Sequence, residues 1–314
     1  MDLNYKESER RKALQLRDAL FKDPGRGIYR NKKREFVLAD SEKNLWPPIR
    51  QEAIRYFKTN GIVWWPGGDM PTGHLLSSQI CCINHLFYLR KNKQAALRLL
   101  QNLNSHFVEV CADFEDGYLG FEVVSNGSYL NEIGSGKNQT RGANCTSVDA
   151  MMTGILENGK KIQVLIEWKY TEAYTSKDLS AGSSGLTRKS RYDHLITDSS
   201  SPINLTIDIS NLYHEPFYQL MRQTLLAWQM VENKDAELNT DDWMHVDVIP
   251  ENNINLRYNV PAPDLKQYDL ETSWKSQLVE PEKYRVISPQ QLLQPLIFDK
   301  KHRGLIKYLF TRYW

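Results

Sequence analysis

Two carboxylates and an ammonium placed in strands built for burial constrain this chain more than any other feature. Ile162 to Tyr170 (IQVLIEWKY) is apolar and β-branched, the pattern of a buried strand, yet it ends in Glu167-Trp168-Lys169. Upstream, TSVDA (Thr146 to Ala150) carries Asp149, and a stretch containing Asn158-Gly159 joins the two segments. Each buried charge loses hydration and needs a partner. Two neighbouring carboxylates also repel, and a divalent cation is the usual remedy. In a strand, residues two apart share a face. Glu167 and Lys169 therefore point one way and Trp168 the other. Acid, acid and lysine around Mg²⁺ form an apparatus able to cut a phosphodiester bond, with the metal polarising a water and clamping the phosphate oxygens.

Register sharpens this demand. If Asn158-Gly159 closed a strict two-residue turn, Glu157 would oppose Lys160. The ladder would then bring Asp149 opposite Trp168, on the wrong face. The site requires a one-residue offset, which we expect to set Asp149 opposite Lys169 through an odd-length loop or a bulge near Gly154.

The 314 residues, 41% hydrophobic and 25% charged, describe an ordinary globular chain with enough length for a substantial core. No stretch has the roughly 18 apolar residues of a membrane span, and MDLNYKESERRK lacks the apolar centre of a signal peptide, so a cytoplasmic location and no membrane partner are expected. Cys81, Cys82, Cys111 and Cys145 show no C-x-x-C spacing and read as reduced core thiols. Net charge is only +2, but residues 1 to 34 hold eleven Lys/Arg against five Asp/Glu. The segment from Asp299 to Trp314 holds five Lys/Arg against one acid, interleaved with aromatics. Such ends suit contact with a polyanion, or are a solvated helix face and a packed terminus.

Along the chain, helices are expected at 5 to 22, 50 to 59, 74 to 98 (one or two) and 213 to 231, the last amphipathic. Strands are expected at 107 to 112, 120 to 124, 244 to 248, 254 to 258 and 284 to 287, besides the pair around the acids, and 62 to 65 reads as a short strand or a core segment. Residues 26 to 36 read as a basic loop and 176 to 190 as a polar loop. Ser77, Ser78, Gln79 and Asn84 either face a site or cap and pack their helix. Mixed strands and helices give an α/β or α+β class, of which we take α/β. We read residues 1–70 as a basic helical extension packed on a core formed by 71–314, in one continuous unit.

Other motifs fail. Gly134-Ser135-Gly136-Lys137 lacks the following Ser/Thr and the early glycine of a phosphate loop, having Asn138 and Asn131 there. His214-Glu215 lacks the second histidine of a zinc-protease helix, since position 218 is Tyr218. No G-x-S-x-G elbow exists.

RGANCTSVDAMM (Arg141 to Met152) with KKIQVLIEWKYTEAY (Lys160 to Tyr174) resembles the PD-(D/E)xK nuclease superfamily, and most of all its restriction endonucleases. The proline of the superfamily name is absent, with Val148 before Asp149. The resemblance implies a restriction endonuclease-like core: a central mixed β-sheet flanked by helices. It implies Mg²⁺, with Mn²⁺ able to substitute, bound by Asp149, Glu167 and the main-chain carbonyl of Trp168, with Lys169 catalytic. An upstream acid would be Glu132, or next Glu122, and Gln223 or Gln219 would be a polar residue from the following helix. It implies double-stranded DNA as substrate, a homodimer for cutting both strands, and a cognate DNA methyltransferase in the same system. Polar loops at 131 to 141 and 176 to 190 flank the site as DNA-reading candidates. Three other readings stay open: a repair or recombination nuclease of the same fold, a non-catalytic nucleic-acid-binding protein, and an unrelated protein with a structural ion pair.

Overall fold

The computed structural model describes residues 4–115, 117–133, 145–266 and 268–314. The rejected phosphate-loop motif, Arg141 and most of the 131 to 141 loop lie outside these residues. The first half runs α1 (Tyr5–Leu16), β1 (Gly27–Tyr29), β2 (Lys32–Arg34), α2 (Arg50–Thr59), α3 (Ser78–Leu86), α4 (Lys93–Leu103), β3 (Phe107–Val110) and β4 (Gly120–Val123). Then follow β5 (Val148–Leu156), β6 (Lys161–Trp168), α5 (Gly182–Ile196), α6 (Phe217–Glu232) and β7 (Asp242–Val248). The chain closes with α7 (Ile254–Tyr258), α8 (Leu270–Lys275), β8 (Tyr284–Ile287), α9 (Pro289–Leu293) and α10 (Arg303–Arg312).

A six-stranded mixed sheet is the centre, in the order β3-β5-β6-β7-β8, with β4 sharing the β3 edge of β5. Pairs β3–β5, β4–β5 and β5–β6 are antiparallel, while β6–β7 and β7–β8 are parallel. Strand periodicity sorts the side chains into two cores. Ile162, Val164, Ile166 and Trp168 face one core with α3, α4 and α10, and Leu165 faces the other with α6 and α8. This is the α/β restriction endonuclease-like architecture that the sequence implied.

The basic ends divide in role. On α1, Glu9 accepts a 2.6 Å hydrogen bond from the Tyr170 hydroxyl beyond β6, and Lys12 donates to the Trp314 carbonyl at 3.2 Å. Residues from Ala13 to Ile62 enter the same core as β5 and β6. At the C-terminus, Arg312 is buried, donates to the Asn44 carbonyl at 2.5 Å and lies 4.6 Å from the Tyr313 ring, so these aromatics serve packing.

Three local expectations are corrected and one is narrowed. The basic stretch 26 to 36 forms the β1–β2 hairpin, because Arg30 and Asn31 both take the left-handed backbone (φ 49° and 59°) that closes such a turn. Of the two readings of 62 to 65 the core segment holds, with Ile62 and Trp64 buried and only an isolated bridge of Trp64 to Gly68. Residues 254 to 258 form α7, capped by the Asn253 side chain on the Leu256 amide at 3.3 Å. The polar stretch after 176 becomes α5. Its glycines argue against a helix by propensity, yet Gly185 is required: a Cβ there would lie 2.0 Å from the Ser180 carbonyl oxygen.

The four cysteines are free thiols. No helix among the described residues is long and apolar enough to cross a membrane. Gly154 lies where α4 and β3 approach β5 closely: a Cβ would meet Leu100 Cδ1 at 2.6 Å and the Glu109 carbonyl oxygen at 2.8 Å. Gly154→Ala is therefore expected to destabilise the fold by about 1–3 kcal/mol, read as a lower urea midpoint at unchanged slope.

Candidate active site

The β5–β6 connection decides where the acids go. Ile155 pairs with Lys161, and the Leu156 amide donates to the Lys160 carbonyl at 2.9 Å. Glu157, Asn158 and Gly159 thus form a three-residue loop, with Gly159 at φ 83° taking the position that admits glycine without strain. The loop is odd in length as required, without a bulge between β5 and β6. The offset runs opposite to the expected one: Ala150 pairs with Ile166, so the next step sets Asp149 across from Glu167 rather than Lys169. Either offset puts Asp149, Glu167 and Lys169 on one face, since parity alone sets the face.

The same register continues outward. Phe121 pairs with Ala150 and Val123 with Val148, leaving Glu122 beside Asp149 on the far side of β5. Glu122 has φ 49°, a left-handed conformation rare for a non-glycine residue inside a strand, which points to a functional constraint. Across β6, Glu167 pairs with Asp247 of β7. Four acids therefore stand side by side across four strands.

Hydrogen bonds arrange the centre of this row. The Trp168 amide donates to Asp149 Oδ2 at 2.7 Å. Lys169 Nζ lies 2.7 Å from Glu167 Oε1, which also accepts from Gln219 Nε2 at 2.6 Å. Gln223 Nε2 donates to Glu167 Oε2, and Lys169 donates to Gln219 Oε1. Glutamines 219 and 223 are one turn apart on α6, so both amides point at the sheet. Glu167 and Lys169 are buried. Trp168 turns to the other face, its ring 4.7 Å from that of His85.

Electrostatics follow from this crowding. Burial, with Glu167 and then Glu122 adding, pushes the Asp149 carboxyl well above the usual carboxylate range. Burial, the largest single influence, works to lower the Lys169 ammonium, but Glu167, Tyr174, Glu172 and Asp149 together outweigh it, so Lys169 is held well above its ordinary value. Lys169 is a fixed cation here, and Asp149 an acid that ionises at a cost.

The structure does not bring Glu132 to this group. Its carboxylate accepts from the Thr146 and Tyr192 hydroxyls, each at 2.7 Å, and pairs with Arg222 at 3.0 Å. Glu122, the second candidate, stands next to Asp149 and is held by Gln79 Nε2 at 2.7 Å and the Ser147 hydroxyl at 3.3 Å. Of the polar residues on α3, Gln79 reaches the site, while Ser77 caps the helix at Ile80. Asp247 was missed by sequence reasoning. It is buried with His245 Nε2 at 3.4 Å and the Tyr284 hydroxyl at 3.1 Å. Its signal was the one that marked Glu167 and Lys169: two polar residues, His245 and Asp247, two apart in an apolar strand.

Beside Gln219 and Gln223 a cleft of 530 Å³ opens between α5 and α6, lined also by Arg188, Arg191 and Arg222. Among the described residues, no three His, Cys, Asp or Glu side chains converge closely enough to form a metal cage.

A family model described as Restriction Endonuclease associating with ARP matches residues 8–314. The chain belongs to this family. Membership of this restriction endonuclease-like family agrees with the resemblance carried by Asp149 and Glu167-Trp168-Lys169. No curated protein and no solved structure matches the chain significantly.

The strain on Asp149 is measurable. A carboxyl whose folded value lies above its unfolded one contributes stability that is full below the unfolded value and lost as pH rises through the folded one. Asn cannot ionise, yet can still accept from the Trp168 amide. Asp149→Asn is therefore expected to stabilise the metal-free protein near neutral pH. Melting curves in EDTA should show the advantage growing as pH rises above the ordinary carboxylate range. A gap independent of pH would refute the strained-acid account.

Proposed function

We propose that the chain is a Mg²⁺-dependent endonuclease that hydrolyses phosphodiester bonds of double-stranded DNA, in a restriction-type role. The observation that carries this reading is the register that lines up Glu122, Asp149 and Glu167 with the Lys169 ammonium on one sheet face. Three adjacent acids against one lysine leave an excess of negative charge, which adds to burial in raising the Asp149 carboxyl. Such a set fits a hard cation that needs few protein oxygens and keeps several waters. Asp149, Glu167 and the main-chain carbonyl of Trp168 would hold it, without a cage of three side chains. When bound, Mg²⁺ or Mn²⁺ supplies Lewis acidity toward the phosphate and an acidified water.

The chain's own residues do the rest. Lys169, held protonated by Glu167, serves as a point charge for a non-bridging phosphate oxygen rather than as a base. Gln219 and Gln223 fix the Glu167 carboxylate, limiting its rotamers. Arg188 and Arg191, on the wall of the adjoining cleft, suit the flanking phosphates. Arg222 is engaged by Glu132, so these two brace α6 against the strand that leads to Asp149. Cutting both strands favours a homodimer. A restriction-type role calls for a cognate DNA methyltransferase, and the family's association with ARP is extended to this chain on the same footing.

Asp149→Ala and Lys169→Gln are each expected to lower Mg²⁺-dependent cleavage of plasmid DNA at least about 100-fold, with cooperative melting retained. Gels of closed circular, linear and single-stranded DNA give the comparison. Full cleavage by both variants sinks the assignment, and preference for free ends would favour a repair nuclease.

A further inference from the structure

The β1–β2 hairpin stands out from the rest of the surface. Residues 26 to 34 read RGIYRNKKR, with five basic side chains and no acid. Its register pairs Ile28 with Lys33 and Tyr29 with Lys32, so the two faces of the ribbon differ. Tyr29 faces the body, its ring 4.7 Å from His74 and 5.7 Å from Trp65. Ile28 faces away and is 72% exposed, a large apolar side chain left in solvent between cations. Arg30, Asn31, Lys32 and Lys33 are exposed as well. Lys32 and Lys33 make no ion pair or hydrogen bond among the described residues, whereas Arg26 is paired with Glu35 at 2.9 Å.

The base of the ribbon is rigid and leads to the acids. The Gly27 amide donates to the Val37 carbonyl at 2.9 Å, and a Cβ on Gly27 would lie 2.2 Å from the Leu38 carbonyl oxygen. Tyr29 rests on Trp65, whose amide donates to Gln79 Oε1 at 2.9 Å. The other end of Gln79 donates to Glu122, the neighbour of Asp149. The hairpin is thus anchored to the rim of the candidate active site.

We propose that the β1–β2 ribbon enters the major groove of the duplex beside the cut and reads base edges there. This rests on the nuclease reading above. The groove, about 12 Å wide and 8.5 Å deep, admits a two-stranded ribbon. Strands of three residues extend roughly 10 Å, enough to reach its floor. Lys33, Lys32 and Arg30 would meet phosphates and the guanine edge, while Ile28 meets a thymine methyl. Charge complementarity selects nucleic acid as occupant, and the route through Gln79 places it by the reacting phosphate.

The test uses the full chain, with Ca²⁺ in place of Mg²⁺ for binding and Mg²⁺ for cutting. The Lys32→Ala/Lys33→Ala double variant and Ile28→Asn alter only exposed side chains, so melting temperatures should stay at the wild-type value. The double variant is expected to bind a cleavable duplex about tenfold more weakly, with the salt slope shallower by about 2. Ile28→Asn should keep the slope and relax the pattern of cuts on genomic DNA. Methylation of guanine N7 should interfere with wild-type binding at fixed positions beside the cut. Unchanged affinity, slope and cut pattern in both variants overturns the ribbon while leaving the nuclease intact. Interference only from minor-groove modification overturns the groove assignment. A wild type that neither binds nor cuts DNA fails the nuclease reading itself.

Discussion

A single buried ammonium holds this site together. Among the described residues Lys169 is the one cation drawn into a row of carboxylates, and its contact with Glu167 offsets part of the repulsion that burial intensifies. Removing one partner of such a pair leaves an uncompensated charge in a poorly solvated place, a cost far above the pair's net contribution. The rest of the architecture serves that contact. Strand β6 presents both residues on one face, and α6 supplies two amides that donate to Glu167, one to each carboxylate oxygen. Asp149 is left as the acid whose charge is least compensated.

Helix α6 joins the parts that the sheet alone would leave separate. Gln219 and Gln223 look down on the acids, while Arg222 turns to Glu132 and thereby to Thr146, three residues before Asp149. The face of the helix that closes one wall of the arginine-lined cleft also carries Gln219 and Gln223 to the Glu167 carboxylate. On the opposite side, Gln79 from α3 performs a similar service for Glu122. The acids are therefore held by amides from two helices on opposite flanks, an arrangement that positions them without adding charge.

Much of this was legible in the sequence, because burial and alternation leave a strong signal. The apolar run before Glu167 announced a buried strand, and two-residue spacing announced the shared face of Glu167 and Lys169. The amphipathic pattern of residues 213 to 231 placed Gln219 and Gln223 on a neighbouring helix. Other features depended on long-range contacts that no local pattern reports. Glu122 reaches Asp149 through strand pairing, whereas Glu132 is drawn off by Arg222, ninety positions later. Helix α5 is held by the approach of Gly185 to the Ser180 backbone, so the glycine that argues against a helix locally is what lets it dock. The basic hairpin hid because Arg30 and Asn31 are not the usual glycine-bearing turn.

The three-residue turn Glu157-Asn158-Gly159 has a consequence for how such a protein can change over generations. The register of β5 on β6 is fixed by the buried faces of the two strands, so a residue inserted in the turn lengthens the loop and leaves Asp149 across from Glu167. A lineage can therefore vary this turn at small cost, in length as well as in sequence. The turn is exposed and remote from the acids, and what must be inherited is the pairing of the strands rather than the loop that joins them.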